Sequence, residues 1–172
     1  HLAQRSVASK GYLETITWSF ADEKNNNSFR ENIQEVKIIN PISSDLNVLR
    51  SSLYPNLILF LKKNIDRGFE NQSLFEIGPL FVGKKPGEQI TIICGVRREH
   101  QLNIYDIKKD LVQTLVELGI DKNETRISTK TPSYYHPGRS GSIITKNNQK
   151  LLAYFGQIHP KIIDNTYGFE IF

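Results

Sequence analysis

The chain has one cysteine, Cys94, and no methionine in 172 residues. A lone thiol excludes an internal disulfide framework and any zinc site built on several cysteines. It also suits a reducing compartment. With no Met and His1 in first place, the sequence predicts a processed chain or a piece excised from a longer one. Long apolar runs are lacking: the longest covers residues 57–61, far short of the roughly 20 that cross a bilayer as a helix. No signal-peptide pattern opens the chain. Neither standard phosphate-binding glycine loop occurs. A G-x-S-x-G nucleophile turn is also missing, and Gly138-Arg139-Ser140-Gly141, which comes near it, lacks the strand-to-helix setting. The histidines, His1, His100, His136 and His159, stand at no metal-ligand spacing.

What is present suffices for a folded domain. Hydrophobic residues make up 38% of the chain, with nine Phe and seven Tyr, enough apolar surface to exclude disorder as the main state. The net charge is +4. Its cations fall in scattered pairs (Lys62-Lys63, Lys84-Lys85, Arg97-Arg98, Lys108-Lys109), a pattern of solvated charge more than of a nucleic-acid stripe.

Residues 12–20 alternate, with Ile16, Trp18 and Phe20 opposite Thr15, Thr17 and Ser19, which predicts a strand with the aromatic side buried. Gly11 stands before it, where a helix C-cap falls. Asn25-Asn26-Asn27 reads as a loop, and residues 36–39 as a short strand closed by Asn40-Pro41. Leu53, Leu57, Phe60, Leu61 and Ile65 form one helical face, with Ser51 or Ser52 as N-cap and Pro55 in the first turn. Residues 74–82 read as a strand interrupted at Gly78-Pro79, and residues 89–96 as a central strand covered on both faces. Ile104, Ile107, Leu111, Leu115 and Leu118 mark a second helix ended by Gly119, and on it Asp106 and Asp110 read as a solvated face balanced by Lys108, Lys109 and Lys122. Residues 141–145 and 151–158 form a hairpin, residues 161–165 a short helix, and residues 168–172 a last strand. The class is therefore α+β with a mostly antiparallel sheet flanked by helices. Cys94, inside an apolar strand, reads as a core residue.

Two segments carry more turn formers and hydrogen-bonding groups than a plain connection needs. One holds Asn40, Pro41, Asp45 and then Arg50; the other is His136-Pro137-Gly138-Arg139-Ser140-Gly141. They fit a ligand rim with Arg50 and Arg139 as anion binders, and equally a pair of conformationally demanding loops.

At these segments a resemblance enters. Gly11-Tyr12-Leu13-Glu14-Thr15-Ile16-Thr17 resembles the first signature of class II aminoacyl-tRNA synthetases. The wider series is similar to the bacterial phenylalanyl-tRNA synthetase β-subunit family. It comprises residues 11–20, Asn-Pro-Ile-Ser-x-Asp-Leu from Asn40, Leu-Arg-x-Ser-Leu around Arg50, and Leu-Phe-Glu-Ile-Gly with Glu76 and Gly78. It continues with Tyr-Asp-Ile-Lys around Asp106, His-Pro-Gly-Arg-Ser with His136, Pro137, Gly138 and Arg139, and Phe-Gly-x-Ile-His-Pro with Gly156, His159 and Pro160.

The resemblance implies one class II synthetase-like core module over residues 1–172 that does no catalysis and binds no cofactor or metal of its own. It implies a catalytic α subunit as partner in an α2β2 ligase that joins phenylalanine to tRNA(Phe), ATP and Mg2+ serving the holoenzyme, and a cytoplasmic location. A working class II site needs an arginine on its central hairpin for the ATP α-phosphate and another at the end of its last strand for the γ-phosphate. Leu74-Phe75-Glu76 and Glu170-Ile171-Phe172 have neither. Trp18 stands where that signature has proline, which points to an interface role, and Lys109 stands where the family commonly has glycine. The alternative is a tRNA-contacting module using Arg97, Arg98, Lys108 and Lys109.

Overall fold

The structure is a computed structural model that describes residues 1–29 and 35–172. Helix α1 (Leu2–Ala8) opens the chain and turns through Gly11 into the two-residue strand β1 (Leu13–Glu14). A small ribbon follows: β2 (Phe20–Ala21), helix α2 (Glu23–Asn27) and β3 (Val48–Leu49), with β2 and β3 antiparallel. Then come α3 (Tyr54–Ile65), the long hairpin β4 (Gln72–Phe81) and β5 (Gln89–Arg98), and α4 (Ile104–Glu117). Strands β6 (Thr125–Ser128), β7 (Tyr135–Thr145), β8 (Leu151–Ile158) and β9 (Thr166–Ile171) complete the described elements.

Seven of the strands form one sheet in the order β1-β4-β5-β9-β8-β7-β6. Every pairing in it is antiparallel except β1 with β4, so the expected mostly antiparallel sheet is what the chain builds. Because strand side chains alternate, the sheet has two apolar faces. Leu74, Ile92, Cys94, Val96 and Ile158 pack with Tyr54, Leu57 and Leu61 of α3 on one. Phe75, Phe155, Phe169 and Ile171 pack with Val7 of α1 and with Ile107, Leu111 and Leu115 of α4 on the other. On the α4 face Phe75, Gly95, Phe169, Phe155 and Gly141 stand opposite one another across five strands. A Cβ on Gly95 would lie 2.5 Å from the Phe169 ring, and one on Gly141 2.9 Å from Phe155. The two glycines thus make room for rings that could not otherwise share a row.

Helices α3 and α4 lie where the apolar spacing puts them. Pro55 occupies the first turn of α3, but its N-cap is Leu53; Ser52 contributes its Oγ as acceptor from Tyr54 N–H (3.2 Å), while Ser51 bonds to Asn26. Asn103 and Asp106 form a reciprocal capping box at the start of α4.

Several expectations change. Residues 12–20 do not form one strand with a buried aromatic side. The alternation is real but its faces are exchanged. Thr15 N–H and Oγ both bond to Phe75 O (2.7 and 3.1 Å), and Thr17 Oγ donates to Glu76 Oε2 (2.7 Å). Hydrogen bonding therefore turns the threonines inward and leaves Ile16 90% and Trp18 61% exposed. Asn25, Asn26 and Asn27 lie in α2, because Asp22 caps that helix by accepting from Asn25 N–H (3.1 Å). Residues 36–39 make only an isolated bridge, Lys37 to Val48. Residues 161–165 are turns, not a helix. Pro79 does not interrupt β4, since the β4–β5 register runs unbroken through Gly78 and Pro79. Strand β7 starts at Tyr135, so His136-Pro137-Gly138-Arg139 lies within a strand whose register shifts between Tyr135 and Ser140.

Candidate functional site

Three polar clusters are buried in this frame, and one apolar edge is exposed. The first cluster is centred on Arg50, whose side chain is 2% exposed. Its Nη1 lies 2.6 Å from Glu76 Oε1 and donates to Thr17 Oγ (2.9 Å), while Nε donates to Pro79 O (2.9 Å). Asn56 adds bonds to Thr17 Oγ and Trp18 O, both 3.0 Å. A Cβ on Gly78 would stand 2.3 Å from Arg50 Nη2, so only glycine leaves the guanidinium its place. Arg50 is thus a buried tie between the sheet and residues 17–18, which favours the structural of the two readings of its segment over an anion-binding rim.

The second cluster is on the α4 face. Asp110, read as part of a solvated face, is buried and accepts from Tyr12 Oη (3.0 Å) and Arg97 Nη1 (2.9 Å). The helical spacing of Asp106 and Asp110 was legible; the arginine arriving from β5 was not. Burial and the adjacent Asp110 charge raise the Tyr12 phenol well above its ordinary value.

The third cluster runs straight across the sheet. Glu76 on β4 is opposite Cys94 on β5, which is opposite Glu170 on β9, which is opposite Tyr154 on β8. With strands about 4.8 Å apart, two carboxylates flank a buried thiol on the α3 face. Glu170 Oε2 accepts from Tyr134 (2.8 Å) and Tyr135 (3.5 Å), and Tyr135 Oη lies 2.5 Å from Tyr54 Oη. Burial pushes the Glu170 carboxyl up to about 7, against the pull of its tyrosine hydrogen bonds. Burial and the Glu170 and Glu76 charges likewise raise the Cys94 thiol. Sequence reasoning named Glu76 and missed Glu170, Tyr134, Tyr135 and Tyr54, which meet only through strand order.

This row tests the fit of a nucleotide triphosphate. The two strands that would need arginines present carboxylates on the α3 face, and the arginine nearest in the network, Arg50, is neutralised by Glu76. A triphosphate would meet negative charge in a low-dielectric setting, where repulsion is strongest. The residues present do not fit that group.

Of the remaining motif positions, Gly156 is buried in the sheet and the others are exposed or half-exposed. Asn40, Pro41 and Asp45 lie in an exposed loop, where Asp45 accepts from Ser44 (3.0 Å). His136 and His159 stack at 6.5 Å, each ring accepting from a backbone N–H two residues on, those of Gly138 and Lys161. Arg139 is exposed and donates to Gln157 (3.2 Å). A Cβ on Gly156 would lie 2.5 Å from Ser140 Cα, so this glycine fits the bulge opposite. Pro160 opens the exposed turn after β8. Glu14 pairs with Gln4 on the surface (2.8 Å). The structure does not bring the His136 and Asn40 segments into one polar site with Arg50. Of the cations considered for RNA, Arg97 is held by Asp110 and Glu99 and Arg98 by Asp164 O, leaving Lys108 and Lys109 on α4.

The exposed edge is β1 and the residues after it. Leu13 is 68% exposed, beside Ile16 and Trp18, and Trp18 meets Phe20 edge-on at 6.5 Å.

The chain is similar to known proteins over nearly its whole length. Residues 1–170 match the sequence family described as phenylalanyl tRNA synthetase beta chain CLM domain. The phenylalanine–tRNA ligase beta subunit of Paramagnetospirillum magneticum is 34% identical over 98% of this chain, and that of Cereibacter sphaeroides 38% identical over 94%. The chain spans about a quarter of the length of these relatives, 23% and 21%. Among solved structures, a pyrrolysyl tRNA synthetase of Desulfitobacterium hafniense superposes with a TM-score of 0.74 at 15% identity, covering 99% of this chain and 63% of that one. That likeness shows a class II synthetase fold. With the family match covering all but the last two residues, the chain belongs to the CLM-domain family of phenylalanyl-tRNA synthetase β chains.

Proposed function

We propose that this chain is a non-catalytic core module of a phenylalanine–tRNA ligase β subunit, and that it pairs with the catalytic α subunit of an α2β2 enzyme. That enzyme attaches phenylalanine to tRNA(Phe) with ATP in the cytoplasm. The observation that carries the pairing role is the edge formed by Leu13, Ile16 and Trp18. These are large apolar side chains in water, Leu13 on the short edge strand β1 and Ile16 and Trp18 in the residues that follow it. Arg50, Asn56 and Glu76 all bond to the hydroxyl of Thr17, between Ile16 and Trp18, and Asn56 also donates to Trp18 O, which reduces the ordering cost of presenting those two side chains. A tryptophan flanked by aliphatic residues is the usual composition of an interface centre. The lack of catalysis rests on the carboxylates of Glu76 and Glu170, where triphosphate chemistry needs cations.

Light scattering of the chain mixed with the matching α subunit tests the reading. The expected result is a stoichiometric complex, weakened at least about 30-fold by Ile16→Asp or Trp18→Asp, as for a central interface residue. Amino-acid-dependent pyrophosphate exchange by the chain alone, or a complex indifferent to both substitutions, would overturn it.

A further inference from the structure

Glu170 has a second oxygen that the tyrosines do not use. Both of the hydrogen bonds it accepts end on Oε2, and among the described residues no Lys, Arg or His forms an ion pair with it. The carboxylate lies in the wall of a cavity of about 290 Å³, open on one side and at the small end of ligand pockets. Phe29, Tyr134, Tyr154 and Phe172 supply four aromatic walls, and Ser51 and Ser52 add hydroxyls. A carboxylate taken out of water without a cation is costly. Aromatic faces stabilise a cation through their ring quadrupoles. The cavity thus combines four aromatic rings and one carboxylate with the aliphatic Leu80, Ile90 and Leu151 in a single lining.

We propose that this cavity binds a small organic ammonium ion, with the ammonium donating to Glu170 Oε1 and its carbon body against Phe29, Tyr134, Tyr154 and Phe172. The same features that exclude a phosphate from this face favour a cation. The inference is independent of subunit pairing, because the cavity is walled by Ser51, Ser52 and residues of β4, β5, β8 and β9, and none of Leu13, Ile16 or Trp18 lines it.

Among the described residues, the groups that face Glu170 are Tyr134 just before β7, Tyr135 at its start, Tyr54 on α3, Cys94 on β5 and Tyr154 on β8; beyond Cys94 lies the Arg50–Glu76 pair. Burial raises the Tyr54, Tyr134 and Tyr135 phenols and the Cys94 thiol above their ordinary values, so these groups stay neutral at physiological pH while Glu170 changes charge. Burial holds its carboxyl near 7, and an ammonium ion must therefore displace a proton in acid and none in base.

Isothermal titration calorimetry on the full natural polypeptide tests this, using benzylammonium, butylammonium and the neutral benzyl alcohol as probes. Benzylammonium is expected to bind with a Kd of about 1 mM or tighter. Benzyl alcohol should bind at least about tenfold more weakly. Between pH 6 and pH 8 the ammonium affinity should rise about tenfold as the carboxyl ionises, with proton release disappearing over the same range. Glu170→Gln should lose the charge preference and the pH dependence together. Phe172→Ala, at a wall position that is 44% exposed, should weaken the ammonium about two- to fivefold. Equal affinity for the ammonium and the alcohol, unchanged binding in Glu170→Gln, or no heat up to 10-fold the expected Kd would each overturn the proposal and leave Glu170 a purely structural residue.

Discussion

Replacing Arg50 by methionine is the most informative single change to this fold. The side chain is 2% exposed and its ion-pair partner Glu76 4%. Methionine fills much of the same space, so packing loss is minor and the electrostatic consequence dominates. Glu76 would keep Thr17 as its donor and lose the guanidinium at 2.6 Å, while Pro79 O would lose its partner at 2.9 Å. Stranding one member of a buried ion pair costs about 3–5 kcal/mol. For a chain of this size that corresponds to a melting temperature lower by about 6–20 °C. Urea unfolding followed by fluorescence suits the measurement, because Trp18 is the sole tryptophan and its carbonyl is tied to the same cluster. The double variant Arg50→Met with Glu76→Leu removes both charges and should recover at least half of the loss, since apolar replacements of buried pairs are close to neutral. A single-variant loss under about 1 kcal/mol, the worth of an exposed pair, would refute the buried-tie reading. A double variant no better than the single one would do the same.

Three further outcomes follow from the same geometry. Gly78→Ala places a methyl group 2.3 Å from Arg50 Nη2 and should cost about 1–3 kcal/mol in urea unfolding; in the Arg50→Met background most of that cost should vanish, because the two positions share one contact. Glu170, with its carboxyl raised to about 7 from an ordinary 4.5, binds more protons folded than unfolded between those values. Stability should therefore fall as pH rises through that window, by up to about 1.4 kcal/mol per pH unit, and Glu170→Gln should flatten the slope and stabilise the chain at pH 8. Cys94, fully buried with a raised thiol, should react with a thiol reagent at least about a thousandfold more slowly in the native chain than in urea, a ratio set by the opening free energy.

The sequence carried the two long helices and the central strands because their apolar periods are long and uninterrupted. It carried the class II likeness because motif order is a property of the chain itself. Residues 12–20 show where such reading ends. Alternation tells that two faces differ, and only a partner strand tells which of them turns inward; here the threonines find acceptors on β4 and the isoleucine and tryptophan are left outside. Asp110 looked solvated because its partner Arg97 lies on another element, reached through the packing of α4 on the sheet. Glu170 was passed over for the same reason. Its setting is made by strand order, which brings β9 between β5 and β8 and the start of β7 within reach.

That strand order also sets a sequence of events at synthesis. Strand β9 is the last of the described elements in the chain, yet it lies in the middle of the sheet. Until residues 166–171 leave the ribosome, β1-β4-β5 and β8-β7-β6 are two separate three-stranded pieces, each with a bare edge facing the place the missing strand will take. The β4–β5 and β7–β8 hairpins are local and can form before β9 is made, and its insertion then joins the two halves of this sheet. A ribosome stalled a few codons short of that strand would display two sticky edges in one molecule, the form in which a sheet protein most readily meets a chaperone or another copy of itself.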